Sequence, residues 1–353
     1  MAKPAPKKPA KARDEKVVSS DADLIQKFSH LYPVHDTKWI PTGSLALDYL
    51  LGRGLPMGKV ISFFSDYAVG KTTTSLHMVR AVLDADPENV VLFIDAERAL
   101  DESLKLSILG EDYKKKYGKR FGHFRTSIYE QVEELLVDFM GTRCLKLVII
   151  DSLSNLKTQA QFDGEERRIG VGASYQSQFC PKVKDFADIG RFSVLYIAQI
   201  RANIVTVGRA DSLTKSSGGH SFHHNNDIEL NLKVRSKIYD GVKNIIGACV
   251  HVSSKKNKVA GNKSAFMFMK YGYGVSNVAT MVSILKWSGL VKQGGAYFTL
   301  THPKMNVGGG IGVPAKVQGN GGLETLVTEH FGHIVEVLQS EGLIVKYFQE
   351  FTM

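Results

Sequence analysis

Cysteine is scarce. Cys144, Cys180 and Cys249 are the only three, and they lie far apart. That spacing excludes a disulfide framework and a paired-cysteine zinc site, and it suits reduced thiols in the cytoplasm. No apolar run approaches the roughly 18 residues a membrane span needs, so no membrane partner is expected. The opening segment MAKPAPKKPAKARDEK has no apolar core of the kind a secretory signal carries. Internal repeats are missing too. Acidic side chains are in deficit: 45 Lys and Arg stand against 35 Asp and Glu, a formal net charge of +10. The imbalance points toward an anionic partner without identifying it. The rest is ordinary for a folded chain: 353 residues, 43% hydrophobic and 23% charged, enough for two or three domains.

Residues 1–16 hold six basic side chains against Asp14 and Glu15. Pro and Lys dominate, so residues 1–19 read as a disordered basic arm, either a solubilising tail or a nucleic-acid contact. Leu24, Phe28 and Leu31 then recur at helical spacing before Pro33, which predicts a separate N-terminal helical element over 20–38. Between 39 and 272, short apolar runs alternate with helical patterns. Val60–Phe64, Val90–Ile94, Leu147–Ile150 and Val194–Ile197 are continuous apolar runs, as expected for strands buried on both faces. A helix carrying Leu76, Val79 and Leu83 follows the first. This alternation predicts an α/β fold with a mostly parallel sheet. Ile228–Val234, Ala248–Val252 and Ala265–Met269 lack long helices between them and read as hairpin-like additions at one sheet edge. From 273 to 353 a small C-terminal α+β domain is expected. There Gly308–Gly310 and Gly319–Gly322 read as a surface loop, and Leu323–Leu343 as helix.

The strongest chemical signal is Ser65-Asp66-Tyr67-Ala68-Val69-Gly70-Lys71-Thr72-Thr73. It lies between a predicted strand and a predicted helix, where backbone N–H groups cradle phosphates. Lys71 is expected to reach the β- and γ-phosphates of a nucleotide, and the Thr72 hydroxyl to hold Mg²⁺. Ser65 stands where Gly usually opens such a loop. Either the loop turns there without a left-handed residue, or nucleotide binding is weakened. Asp151 ends the Leu147–Ile150 run, where such folds hold Mg²⁺. Val90–Ile94 runs into Asp95-Ala96-Glu97. Either carboxylate would face the same crevice. Glu97, further out, has more room to activate a water, and Asp95 is its rival. Val194–Ile197 leads to Gln199, placed to sense a γ-phosphate. A long polar segment follows, of the length that is usually functional or disordered.

These residues, in this order, resemble the bacterial RecA recombinase family from about Leu24 to Tyr297. The anchors are PTGSLALDYLLGRGLPMGKV at 41–60, GKTTTS at 70–75, FIDAERALD at 93–101, IIDSLSNL at 149–156, AQIR at 198–201, SSGG at 216–219 and KNKVA at 256–260. Similarity outside the anchors is low, as in a distant member, with a phage source among the origins this allows.

The resemblance implies a RecA-like ATPase core. It also implies a DNA-dependent ATPase that forms helical homo-oligomeric filaments on single-stranded DNA and exchanges strands with a duplex. Its setting would be a bacterial or phage-infected cytoplasm. By the match, Glu97 activates water, Asp151 supports the metal and Gln199 senses the γ-phosphate. Asp101 lies near the adenine, and the family's aromatic contact there falls on Leu104. Lys256 and Lys258 match lysines acting across the subunit interface. Two DNA loops are implied. Residues 163–172 carry Arg167, Arg168 and Val171, and residues 201–219 carry Arg201, Ile204, Arg209, Lys215, Gly218 and Gly219. Val171 and Ile204 fall where the family inserts apolar side chains between bases. The helical element at 20–38 matches the one that docks on a neighbouring subunit, and the family's acidic C-terminal tail is missing. His223 and His224 fall among interface positions; as neighbours on a strand they would point apart, which disfavours a shared metal. Two other readings stay open: a hexameric helicase of the same superfamily, and a nucleotide-gated DNA-binding filament with little hydrolysis.

Overall fold

The computed structural model describes residues 36–66, 68–165, 171–202, 214–216, 220–306 and 316–344. The expected arm at 1–19 and the helix with Leu24, Phe28 and Leu31 lie outside them. From Lys38 onward the chain forms one compact unit.

The short strands β1 (Trp39–Ile40) and β2 (Leu55–Pro56) pair antiparallel. They flank the helix Leu45–Leu51, whose N-terminus is capped by the Ser44 side chain accepting from the Leu47 N–H. The central sheet contains β3 (Val60–Ser65), β4 (Val90–Asp95), β5 (Phe121–Phe124), β6 (Leu145–Asp151), β7 (Ser193–Ala202), β8 (Thr214–Ser216), β9 (Ile228–Tyr239), β10 (Ile245–Asn257), β11 (Ser264–Lys270) and β12 (Gly274–Val275). Their order is β12-β11-β10-β9-β3-β7-β6-β4-β5, with β8 paired only to β7. The run from β9 to β5 is parallel throughout. From β9 to β12 every pairing is antiparallel. The expected edge hairpins are therefore present.

Alternation along the strands explains the layers. Ile61, Phe63, Phe93, Ile149 and Leu195 enter the core shared with the helix Lys71–Ala85. Val60, Phe64, Leu92, Ile94 and Ile150 enter the opposite core with helices Tyr129–Met140 and Val171–Gly190. Both faces being covered, the strands read as unbroken apolar runs. The strands β13 (Val291–Gly294), β14 (Tyr297–Leu300) and β15 (Lys316–Gln318) form a separate antiparallel sheet, packed with helices Asn277–Trp287, Gly319–Glu329 and Phe331–Ser340. This is the small C-terminal α+β region.

Three details differ from the sequence expectation. Gly319–Gly322 forms the first turn of a helix rather than a loop. Leu323, Leu326 and Val327 are buried and hold that helix down, so packing outweighs the poor propensity of Gly. The helical pattern 323–343 is two helices, broken at His330. His223 and His224 lie on the helix His220–Asn225, not on a strand. Burial of Phe222 edge-on to Phe64 and Tyr196 accounts for that helix. β5 escapes the sequence pattern because Phe121-Gly122-His123-Phe124 is short and half polar.

Candidate nucleotide site

Register brings the carboxyl ends of four strands to one edge. Ser65 lies opposite Gln199, Asp151 opposite Ile197, and Asp95 opposite Asp151. Because β3 sits beside β7 while its chain continues to β4 beyond β6, the edge has the topological switch at which such sheets bind ligands.

The loop from β3 turns without a left-handed residue at Ser65, which is still extended strand and fully buried. The left-handed positions are Ala68, with φ 56°, and Gly70, with φ 89°. The φ of Gly70 favours glycine, and a Cβ there would also press on the end of the Met269 side chain of β11. Asp66 and Ala68 are exposed and Val69 is buried; Tyr67 lies outside the described residues. Lys71, Thr72 and Thr73 begin the helix Lys71–Ala85.

Lys71 is buried. Its Nζ donates to Ser65 Oγ at 2.7 Å and to the Asp66 carbonyl at 3.0 Å. Burial pulls this ammonium below its ordinary pKa, while Asp151, Glu97 and Asp66 pull it back up. Thr72 Oγ1 donates to Asp151 Oδ2 at 2.8 Å. Burial pushes Asp151 up to about 6 despite that hydrogen bond, with Glu97 and Asp95 adding to the rise. A buried carboxylate beside a hydroxyl is a hard-oxygen donor set short of positive charge, which suits Mg²⁺ held partly through phosphate. Among the described residues no three His, Cys, Asp or Glu side chains gather as a complete metal cage.

The rival carboxylates separate clearly. Asp95 is 1% exposed, and its oxygens accept from the Ala99 N–H at 3.0 Å and the Leu100 N–H at 3.1 Å. His123 Nε2 lies 3.3 Å away and Arg125 Nε 3.9 Å. Asp95 thus closes the turn 96–100 on itself. Glu97 is half-buried on that turn. Its N–H donates to the Asp151 carbonyl at 3.0 Å, and its Oε1 accepts from Ser152 Oγ at 2.9 Å. Ser152, His123, Arg125 and Met269 were not legible as site residues; only Ser152, adjacent to Asp151, carried any signal. Asp101 is the N-cap of the helix Glu102–Leu109 and is exposed. A hydrogen bond from Ser103 holds its carboxyl below the ordinary range. Leu104 packs partly against the core.

Lys256 and Lys258 lie elsewhere. Lys256 is opposite Glu229 and Glu229 opposite Ser62, while the Lys258 N–H donates to the Asp227 carbonyl and the Asp227 N–H to the Val60 carbonyl. Both lysines therefore sit toward the amino ends of the parallel strands, about 10–16 Å along β3 from Ser65 at ~3.3 Å per residue. Lys256 Nζ donates to the carbonyls of His223 at 2.6 Å and His224 at 3.1 Å. Lys258 Nζ lies 3.9 Å from Asp227, which also pairs with Lys184 at 2.8 Å.

Of the loop residues, Val171 is the first residue of the helix Val171–Gly190. Arg201 and Lys215 are register partners where β7 meets β8 antiparallel, so they close the base of the segment between them. Arg167, Arg168, Ile204, Arg209, Gly218 and Gly219 lie outside the described residues.

Among the described residues no helix is long and apolar enough to cross a membrane. Residues 23–276 match the RecA N-terminal domain. The chain is 30% identical over 277 residues to Protein RecA 1 of Myxococcus xanthus, covering 76% of this chain and 77% of that one. It is 31% identical over 277 residues to Protein RecA of Streptomyces avermitilis, covering 76% and 70%. It is 29% identical over 277 residues to Protein RecA of Chloroherpeton thalassium, covering 76% and 73%. With that coverage, a nine-strand path of mixed but mostly parallel sheet and a phosphate loop at its switch point, the chain belongs to the RecA family.

Proposed function

We propose that the protein is a DNA-dependent ATPase that assembles as a filament on single-stranded DNA in the cytoplasm and promotes homologous pairing and strand exchange. One observation carries the nucleotide part: Lys71, the Thr72–Asp151 pair and Glu97 converge at one end of the parallel strands. In this reading the loop 65–73 wraps the phosphates of ATP, Lys71 neutralises them, and Thr72 and Asp151 hold Mg²⁺. The metal supplies charge neutralisation between the phosphate oxygens. Glu97 takes a proton from the attacking water, with Ser152 fixing its carboxylate. Gln199, beside Ser65 in register, contacts the γ-phosphate, and Asp101 lies toward the base.

Lys256 and Lys258 lie toward the far end of the strands from their own chain's loop. Their placement favours action on a neighbour's triphosphate, which would couple hydrolysis to assembly. Arg201 and Lys215, register partners just beyond Gln199, are a basic pair on β7 and β8. That supports a route from bound phosphate to the DNA-binding segments 163–172 and 201–219. Val171 and Ile204 would part the bases.

The test is ATP hydrolysis with and without single-stranded DNA, together with electron microscopy on single-stranded DNA with a non-hydrolysable ATP analogue. DNA-stimulated hydrolysis and open helical filaments are expected. Closed rings would favour a helicase, and filaments without turnover a structural role.

A further inference from the structure

We infer that Ser65 is a latch on Lys71 that weakens the loop's grip on nucleoside triphosphate. The inference rests on the reading of 65–73 as an ATP site and adds to it a residue that sets affinity.

Three observations carry it. Ser65 is fully buried at the last position of β3, so its hydroxyl is shielded from water. That hydroxyl donates to the Asp66 carbonyl at 2.7 Å, which turns its lone pairs toward Lys71. Lys71 Nζ then lies 2.7 Å from Ser65 Oγ, closer than the Asp66 carbonyl at 3.0 Å or the Ser65 carbonyl at 3.4 Å. An ammonium has three donors and no acceptor, and all of these partners belong to the loop itself. A Gly at this position would leave the two carbonyls and remove the nearest acceptor. A triphosphate must draw Lys71 from whatever holds it, so the extra acceptor stabilises the protein without nucleotide more than the complex.

The charges facing Lys71 are Asp151 on β6, Glu97 after β4 and Asp66 in the loop. Asp66 meets Nζ through its backbone carbonyl at 3.0 Å, farther than the Ser65 hydroxyl at 2.7 Å.

The experiment measures binding of Mg²⁺ with a non-hydrolysable ATP analogue to the full chain at pH 7, as wild type, Ser65→Ala and Ser65→Gly. Melting without nucleotide establishes that each variant folds; Ala is smaller than Ser and suits extended backbone. Both variants are expected to bind roughly three- to tenfold more tightly at pH 7, the scale of one hydrogen bond to a charged group after partial replacement. Tighter binding on losing the hydroxyl is a sign that a packing role alone would not give. Weaker binding in both variants would make Ser65 a phosphate ligand and overturn the latch, and so would unchanged affinity. If wild type fails to bind while either variant binds, the latch stands in a stronger form. If no protein binds, the latch and the ATP reading fail together; wild-type binding without a change in the variants sinks the latch alone.

Discussion

The two ends of the parallel sheet are built from opposite materials. At the carboxyl end, Asp151, Glu97 and Asp66 face one buried ammonium, with Asp95 buried nearby, and Asp151 is pushed up to about 6. At the amino end, Lys184, Lys256 and Lys258 cluster around Asp227 and Glu229, and Lys256 is held by helix carbonyls. One end is short of positive charge and the other is rich in it. In a parallel sheet all strands exit on the same edge, so loops carrying acidic residues collect there. The antiparallel β9–β10 pair returns its basic tail to the other edge. In the proposed filament, the basic end of one copy would meet the acidic end of the next.

The comparison breaks most sharply at Glu97. Glu97→Gln keeps the Ser152 contact and removes the base, so hydrolysis should fall by ~10²–10⁴ while ATP-dependent DNA binding survives; wild-type turnover would reject the assignment. The basic end comes next. Replacing Lys256 and Lys258 by Ala should cost on the order of 10²-fold or more in turnover, as for other charge-stabilising donors. Mixing that protein with a Lys71 variant should restore part of the activity, because some interfaces then pair an intact loop with intact lysines. No recovery despite shown co-assembly would place the lysines outside the chemistry.

Asp95 offers a sharper distinction within the acidic end. Asp95→Ala strands the N–H groups of Ala99 and Leu100, each worth about 1–3 kcal/mol when left unpaired. A fall of roughly 5–15 °C in melting temperature is expected at about 2–4 °C per kcal/mol. Glu97→Gln should leave melting nearly unchanged. Equal effects would erase the difference between the two carboxylates.

A smaller effect follows from the raised pKa of Asp151. The folded state holds this proton up to about pH 6, whereas an unfolded Asp loses it near 4. Between those values the folded chain binds more protons, so this group's contribution to stability falls as pH rises through the window. Asp151→Asn should therefore melt higher than wild type at pH 7 without nucleotide, with the gap shrinking below pH 5. Added Mg²⁺ and ATP analogue should favour wild type instead. A gap independent of pH would deny Asp151 its burial-driven shift.

The smallest effect concerns DNA. Removing residues 1–16 should keep ATP-dependent binding and reduce the salt slope, by ~0.7 log unit per log salt for each phosphate no longer neutralised. Ile204→Gly should spare the slope and impair strand exchange. If the truncation abolishes ATP-dependent binding and Ile204→Gly does nothing, the arm is the DNA site.

Local chemistry made much of this readable. The runs at 60–64, 90–94, 147–150 and 194–197 are apolar because both their faces are covered, and each is found inside a strand of the sheet. The loop 65–73 announces itself by Gly70, Lys71 and Thr72 following a strand. His123 gave no signal: it sits on a four-residue strand, and its partner Asp95 is 28 positions away.

Sequence by itself determined the strand-and-helix alternation, the phosphate loop and the charge imbalance, because each depends on neighbours along the chain. Tertiary structure decided the rest. Strand register separated Asp95, folded back on its own turn, from Glu97, turned to Ser152. The bend of the loop set the Ser65 hydroxyl on Lys71. The antiparallel return of β10 carried Lys256 and Lys258 toward the amino ends of the strands. Contacts of this kind join distant residues, as between the Val60 N–H and the Asp227 carboxylate, 167 positions apart. No periodicity in the chain encodes such a contact, because it exists only once the sheet has chosen its strand order.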